Sequence, residues 1–282
     1  MNILSIQSHV AYGHVGNSAA VFALQRIGVE VWPVHTVQFS NHPGYGGWRG
    51  HAFEGSLIGD LVQGIDERGM LRSCDGVLSG YVGSAEIGPA ILDAVARVKA
   101  ANPQAQYCCD PVIGDTGKGV YVQPGVADFI RQQAIPAADV ATPNLFELGH
   151  LTGRSTRNTG EVLQAAHALR HMGPRIVMVT SLMSDETPDG AIELVTCDDT
   201  GSYRLRTPML PIAANGAGDV ISALFLAHLI RTGSAPEALS RAASSVFGIL
   251  KRTAEAGSRE ILLIEAQDEL VKPSATFRAE SF

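Results

Sequence analysis

At 282 residues, 45% apolar and 17% charged, the chain can bury a sizeable core as one large α/β domain or two small ones. A net charge of −7 without runs of like charge offers nucleic acid and anionic membrane no basic surface, so neither is expected as a partner. The longest apolar run is too short to span a bilayer and Met1-Asn2-Ile3-Leu4 is no basic leader, which together lead to the expectation of a cytoplasmic protein.

Ile3 to Gln7 reads as a buried strand, and Ser8 to Gly16 as a glycine-punctuated loop. Asn17 can cap a helix running to Arg26, stopped by Gly28. Val29 to Phe39 is a second strand region, in which Pro33 marks an edge or an irregularity. Ser40 to Gly50 is a long loop carrying Pro43 and four glycines. A helix around Leu57 to Glu67 precedes the strand Gly76 to Ser79, and a helix from Ala85 to Ala100 precedes the strand Gln106 to Cys109. Asp139 to Ala141 is a strand, Leu145 to Leu151 and Gly160 to Met172 are helices, and Ile176 to Val179 is a β-branched strand. Ile192 to Thr196 and Tyr203 to Arg206 read as an antiparallel hairpin. An apolar helix from Val220 to Ile230 follows, then helices near Pro236 to Lys251 and Ile264 to Leu270. Lys272 to Phe282 reads as a frayed tail. With no repeat or linker, residues 1–282 are read as one domain. The alternation implies parallel strands with helices on both faces.

Cys74, Cys108, Cys109 and Cys197 match no zinc spacing and read as reduced core residues. His9 and His14 flank the glycine loop and read as partners of backbone rather than catalysts. His42 and Trp48 either line a pocket or anchor their loop. Trp32 reads as core, and His228 as a hydrogen-bonded core histidine.

In such a sheet, ligands bind beyond the carboxyl ends of the strands. Nine polar residues gather there: Ser8, Tyr81, Asp110, Asp115, Thr142, Asn144, Glu147, Thr180 and Ser181. Downstream, Asn215-Gly216-Ala217-Gly218-Asp219 runs straight into the apolar helix. Glycines there let a ligand approach the amides, and a helix start favours an anion. Asp219 in the first turn suits phosphoryl transfer, where a carboxylate takes the proton of an attacking hydroxyl. It would equally suit a glycine-rich loop with an ordinary capping aspartate.

These stretches resemble the ribokinase superfamily, and within it the pyridoxal kinases. Gly216-Ala217-Gly218-Asp219 is similar to its C-terminal signature, and Thr142-Pro143-Asn144-Leu145-Phe146-Glu147 to its Asn-x-x-Glu motif. Gln7 to Ala20, Val37 to His42, Leu78 to Tyr81 and Asp110 to Asp115 resemble the vitamin-binding branch. The resemblance implies a ribokinase-like three-layer α/β/α sandwich, its sheet mostly parallel with an antiparallel edge hairpin. It implies ATP-dependent phosphorylation of the 5′-hydroxymethyl group of pyridoxal, pyridoxamine or pyridoxine, with Mg2+, often K+, by a homodimer. Asp219 would be the base and Gly216, Ala217 and Gly218 the anion hole. Ser8, Val37, Pro43, Gly44 and Tyr81 would surround the vitamer. Asp110, Thr142, Asn144, Glu147, Thr180, Ser181, Thr207, Met209 and Leu210 would hold ATP, and Asp115, Thr142 and Glu147 the metal. Gly114 to Tyr121 would be a lid. The family commonly has threonine where Pro43 stands, and some bacterial members have lysine at Thr180; proline offers neither a hydroxyl nor a backbone donor. Hydroxymethylpyrimidine kinase, with a similar glycine signature, and a non-catalytic vitamer carrier are the alternatives.

Overall fold

The computed structural model describes residues 1–212 and 214–282. In chain order its strands are β1 (Asn2–Val10), β2 (Glu30–Phe39), β3 (Gly50–Ala52), β4 (Gly76–Ser79), β5 (Gln106–Cys109), β6 (Gly114–Asp115), β7 (Gly119–Val120), β8 (Val140–Ala141), β9 (Ile176–Leu182), β10 (Ala191–Cys197), β11 (Ser202–Pro208) and β12 (Glu280–Ser281). The helices are α1 (Asn17–Arg26), α2 (Gly55–Glu67), α3 (Gly88–Ala101), α4 (Val126–Phe129), α5 (Ile135–Ala137), α6 (Leu145–Thr152), α7 (Thr159–Arg170), α8 (Ala217–Thr232), α9 (Ala235–Glu255) and α10 (Asp268–Val271).

Strands β6 and β7 form a small hairpin; the others join one sheet in the order β12-β11-β10-β9-β8-β5-β4-β1-β2-β3. From β9 across to β2 the pairing is parallel. Antiparallel strands close both sides, β3 on β2 and the β10–β12 set on β9. Successive residues of a strand point to opposite faces, which here supplies two separate cores. Leu4, Val77, Tyr107, Cys109, Ala141, Val177 and Val179 face a core shared with α2, α3, α6 and α7. Their neighbours Ile3, Leu78, Cys108, Val140 and Met178 face the other, shared with α1, α8 and α9. The result is the expected α/β/α sandwich. No helix among the described residues is long and apolar enough to cross a membrane.

Pro33 is tolerated because, among the described residues, the one strand beyond β2 is β3, which pairs with Val37–Phe39 alone. The four cysteines are free and buried. Trp32 packs partly buried against the first core.

Several expectations are corrected. Strand β1 continues through Ser8 to Val10, because β2 pairs with it there beyond a register shift. Asn17 is not a cap but the first helical residue, after Gly16 at φ 54°. Its carboxamide instead reaches into the sheet, donating to the Val34 carbonyl at 3.1 Å and accepting from the Ser5 hydroxyl at 2.7 Å. Residues 126–137, for which the sequence pattern suggests no element, are helical, with a π-helical stretch at Ile130–Ala134 before Pro136. That wide turn accommodates a proline, which has no N–H to give. The expected helix at Ile264 to Leu270 shortens to Asp268–Val271. His228 is buried, but its Nδ1 has no partner, and burial lowers its pKa to about 4, so it stays neutral.

Nor is the tail frayed. The backbone amides of Phe277 and Ala279 each donate at 2.9 Å, to Ser244 and Ser240 on α9. Phe277 meets Phe247 edge-on at 4.8 Å, and β12 pairs with β11. Serine hydroxyls on a helix face have substituted for a sheet ladder. Phe277→Ala is expected to lower stability by about 1–3 kcal/mol, since the ring is only partly buried. A denaturant midpoint unchanged from the parent would show that the tail contributes nothing.

Candidate active site

The carboxyl ends of the parallel strands bring most of the expected residues to one edge. Ser8, 8% exposed, lies where β1 advances two residues (Gln7 to His9) while β2 advances three (His35 to Gln38). Such irregularities re-aim side chains near sites. Beside it, Val10, Val15, Val37 and Phe39 form a small apolar cluster against which Tyr81 packs. The loop after β2 turns through Pro43–Tyr45, with Pro43 and Gly44 exposed. Proline fits the first position of that turn, and the His42 ring caps it by accepting from the Gly44 amide at 3.0 Å. Trp48 anchors the same loop by packing its ring, tilted, against Phe39 with centroids 4.1 Å apart. His14 bonds to the Ser18 backbone carbonyl, as expected, whereas His9 bonds to the Gln38 side chain rather than to backbone.

Gly216 adopts φ 91°, and any side chain on it would strike the His14 carbonyl, so this position requires glycine. It opens α8, whose first turn has no side-chain cap. The leading N–H groups of that sixteen-residue helix are therefore left for an anion. Around Gly218 the space is open. Asp219 stands in this first turn, and burial pushes its pKa up to about 6, while its own amide and that of Gly16 pull the other way.

Two more carboxylates lie close. Burial raises Asp110 well above the usual range, and the nearby charges of Glu147 and Asp219 add to this; hydroxyls of Ser222 and Thr142 oppose it. Glu147, 3% exposed, is pushed up to about 7 by burial against the pull of three backbone donors. Those donors are Ile113 and Gly114 to Oε1, at 3.0 and 3.4 Å, and Asn144 to Oε2 at 2.9 Å. The Asn144 side-chain oxygen Oδ1 accepts from the Glu147 amide in return, completing a capping box. Asn144 also donates to the Gly114 carbonyl at 2.9 Å. The pair therefore ties the start of α6 to the base of the β6–β7 hairpin.

The members of the expected metal set sit in different surroundings. Thr142 is 2% exposed with its hydroxyl 2.9 Å from Ser222, while Asp115 is exposed on the hairpin. Among the described residues no group of three His, Cys, Asp or Glu side chains could hold an ion. Even so, the carboxylates suit an ion such as Mg2+ that keeps most of its waters. Glu147 and Asp219 raise the proton affinity of Asp110, and among the described residues none of the three takes part in a salt bridge. Thr180 bridges to Asn144 at the end of β9, and Ser181 is held at φ 55°, the one positive φ outside glycine among the described residues. A serine in that region is a strained feature of the kind found at functional sites.

Thr207 is buried on β11, while Met209 is exposed and Leu210 lines an open cavity of ≈530 Å³ with Pro208, Pro211, Phe247 and Lys251. Two residues were not foreseen. Ser222, three positions after Asp219 and so on the same helix face, secures Thr142; that spacing was legible. The Tyr121 side chain is 49% exposed, but partial burial of its hydroxyl and then the charges of Glu147, Asp110 and Asp219 raise its pKa. Only a folded hairpin could bring it there.

Raised carboxyl pKa values predict how stability depends on pH. A group whose pKa rises from its ordinary value to about 7, as for Glu147, favours folding while protonated and loses that contribution as pH climbs from about 4.5 through 7. Asp110 follows the same sign. Asp110→Asn, which cannot ionise, is therefore expected to gain in melting temperature relative to the parent as pH rises from 5 to 8. A difference that stays constant across this range would mean that Asp110 is not held protonated by its surroundings.

A family model described as phosphomethylpyrimidine kinase matches residues 73–263. A protein of Granulibacter bethesdensis named pyridoxal kinase PdxY is 56% identical, the match covering 99% of each chain. A namesake from Deinococcus radiodurans is 53% identical over 99% of this chain and 96% of its own. Among solved structures, pyridoxal kinase from Leishmania donovani in complex with ADP and pyridoxamine is similar with TM-score 0.91 at 29% identity, covering 100% of this chain and 99% of that one. Matched by the family model over most of its length and by such relatives from end to end, the chain belongs to the phosphomethylpyrimidine kinase family and, within it, to the pyridoxal kinases.

Proposed function

We propose that this chain transfers the γ-phosphoryl group of ATP to the 5′-hydroxymethyl group of pyridoxal, and also serves pyridoxamine or pyridoxine. The observation that carries the reading is the uncapped start of α8, with Asp219 in its first turn, packed against the loop that follows Ser8. In the reaction, Asp219 accepts the proton of the vitamer hydroxyl as it attacks, and the amides of Gly216, Ala217 and Gly218 receive the negative charge spreading over the phosphoryl oxygens. A carboxyl with a pKa near 6 is ionised at neutral pH yet basic enough to take that proton.

Ser8 and Tyr81 orient the pyridine ring, with Val37, Pro43 and Gly44 around it. Thr142, Thr180, Ser181, Thr207, Met209 and Leu210 border ATP, the last beside the apolar cavity. Mg2+ would be held through water by Asp110, Asp115 and Glu147, and would neutralise phosphate charge; K+ would lie near Thr142, Thr180 and Ser181. The β6–β7 hairpin closes over the donor side, carrying Tyr121 inward and excluding water. One kinase domain acting as a homodimer completes the reading.

Hydroxymethylpyrimidine kinase remains the second reading, favoured by the description of the matched family model. That match starts at residue 73, however, and so omits Ser8, Val37, Pro43 and Gly44, the residues assigned here to the acceptor. Full-length relatives, which include this region, carry the pyridoxal kinase name. An ATP-coupled turnover assay with pyridoxal, pyridoxamine, pyridoxine and hydroxymethylpyrimidine separates the two, and phosphorylation of the pyrimidine alone would reverse the assignment.

The role of Asp219 has its own test. Asp219→Asn keeps the shape but cannot accept the proton, so kcat is expected to fall by about 10²–10⁴ while the KM values for vitamer and ATP stay within several-fold. Turnover within about tenfold of the parent would assign the proton to another group.

A further inference from the structure

Strand β9 is irregular where its residues are assigned to ATP. Between the pairs Val179–Val195 and Leu182–Glu193, β10 has one residue, Leu194, and β9 has two, Thr180 and Ser181. This is a β-bulge, and it contains the Ser181 backbone at φ 55°. A strained bend keeps its shape only where its surroundings hold it. On one flank the Thr180 amide donates to the Pro143 carbonyl at 3.0 Å. On the other flank stands Glu193, 1% exposed, with no part in the chemistry above. Its backbone pairs with Leu182, and its carboxylate reaches the turn that follows β9. Oε2 accepts from the Thr187 hydroxyl at 3.0 Å, and that hydroxyl in turn accepts from the Ser184 amide at 2.9 Å. Oε1 accepts from Nε and Nη2 of Arg206, at 2.8 and 2.5 Å, with Arg204 3.8 Å away. The same turn is tied to the segment before α7, where the Asp185 amide donates to the Arg157 carbonyl at 3.1 Å.

We propose that Glu193 is a positioning residue for the nucleotide: through Thr187 it holds the turn after β9, and so fixes the Thr180–Ser181 bulge against the phosphates of ATP. A buried ion pair can often be replaced by apolar side chains at no loss of stability, so joining β10 to β11 does not call for a carboxylate. Holding the turn does, because one oxygen must serve the Arg206 fork while the other accepts from a hydroxyl. The effect on nucleotide rests on the proposed function; the tie from Glu193 to the bulge does not.

Hydrogen exchange of the nucleotide-free protein, read by mass spectrometry, tests the tie. Thr187→Val removes one hydroxyl and keeps the shape, and it is expected to speed exchange both in the turn Met183 to Gly190 and in the bulge Thr180 to Leu182. Faster exchange confined to the turn would overturn the proposal. Direct ADP binding and the kinase assay test the consequence. Thr187→Val and Glu193→Gln are each expected to raise Kd for ADP and KM for ATP by about five- to tenfold, with KM for pyridoxal moving by less than about twofold. Thr187→Ser, which keeps the hydroxyl, should match the parent, and the double variant should be no worse than the worse single one. A lower melting temperature with unchanged ADP binding, or KM values that rise together for both substrates, would reduce Glu193 to a structural ion pair. Should Glu193→Gln fail to fold, Thr187→Val still decides. A parent that binds ADP but leaves pyridoxal untouched would refute the acceptor assignment and leave this one standing. A parent that binds no ADP would refute the proposed function together with the role at the nucleotide, and exchange would then judge the tie alone.

Discussion

Like charge held close under protein cover is the constraint on which this molecule turns. Glu147 and Asp219 stand near enough to Asp110 to raise its proton affinity, and among the described residues no arginine or lysine is bridged to any of the three. An uncompensated buried charge is costly, so the surrounding backbone must present donors. Much of the irregular structure at this edge does that. The turn into β6 sends two amides to Glu147, and the capping box sends a third. The sheet fixes where the strands end, and the need for donors shapes the turns beyond those ends.

Close glycine contacts translate that arrangement across the site. Gly216 fits under the His14 carbonyl, and Gly16 fits against Ser8, where a side chain would strike both its carbonyl and its hydroxyl. The segment from Ser8 to Gly16 is thereby wedged between the end of β1 and the start of α8. The Asn17 carboxamide, buried beneath it, holds the start of α1 to β1 and β2. Ser8 and the turn that carries Asp219 are thus parts of one packed unit.

Much of this was legible in the chain itself. Strands Gly76–Ser79 and Gln106–Cys109 read at their observed boundaries because short apolar runs between polar turns have few other solutions. The glycine turn before α8 was visible because two glycines, an acid and a long apolar helix occur in succession. The features that stayed hidden depended on distant partners. The tail is ordered by serines on a helix more than thirty residues away, and β3 exists because β2 offers it an edge. Asn144 and Glu147 were visible as an Asn-x-x-Glu pair, but that the same i and i+3 geometry would also close a capping box showed only in the folded chain. Tyr121 enters the site region only through folding of the segment that carries it.

The cysteines carry a practical consequence. All four are buried and free, and burial raises the thiol pKa of each, to about 11 for Cys74 and about 12 for Cys109. Thiolate is the form that alkylating agents and oxidants attack, so the folded chain presents almost none of it. The native sequence is already a silent background for thiol-directed probes. A single cysteine introduced at an exposed position of the β6–β7 turn, such as Thr116, would take a maleimide dye or spin label without prior removal of any native residue. The movements of that hairpin could then be followed in the otherwise unaltered protein.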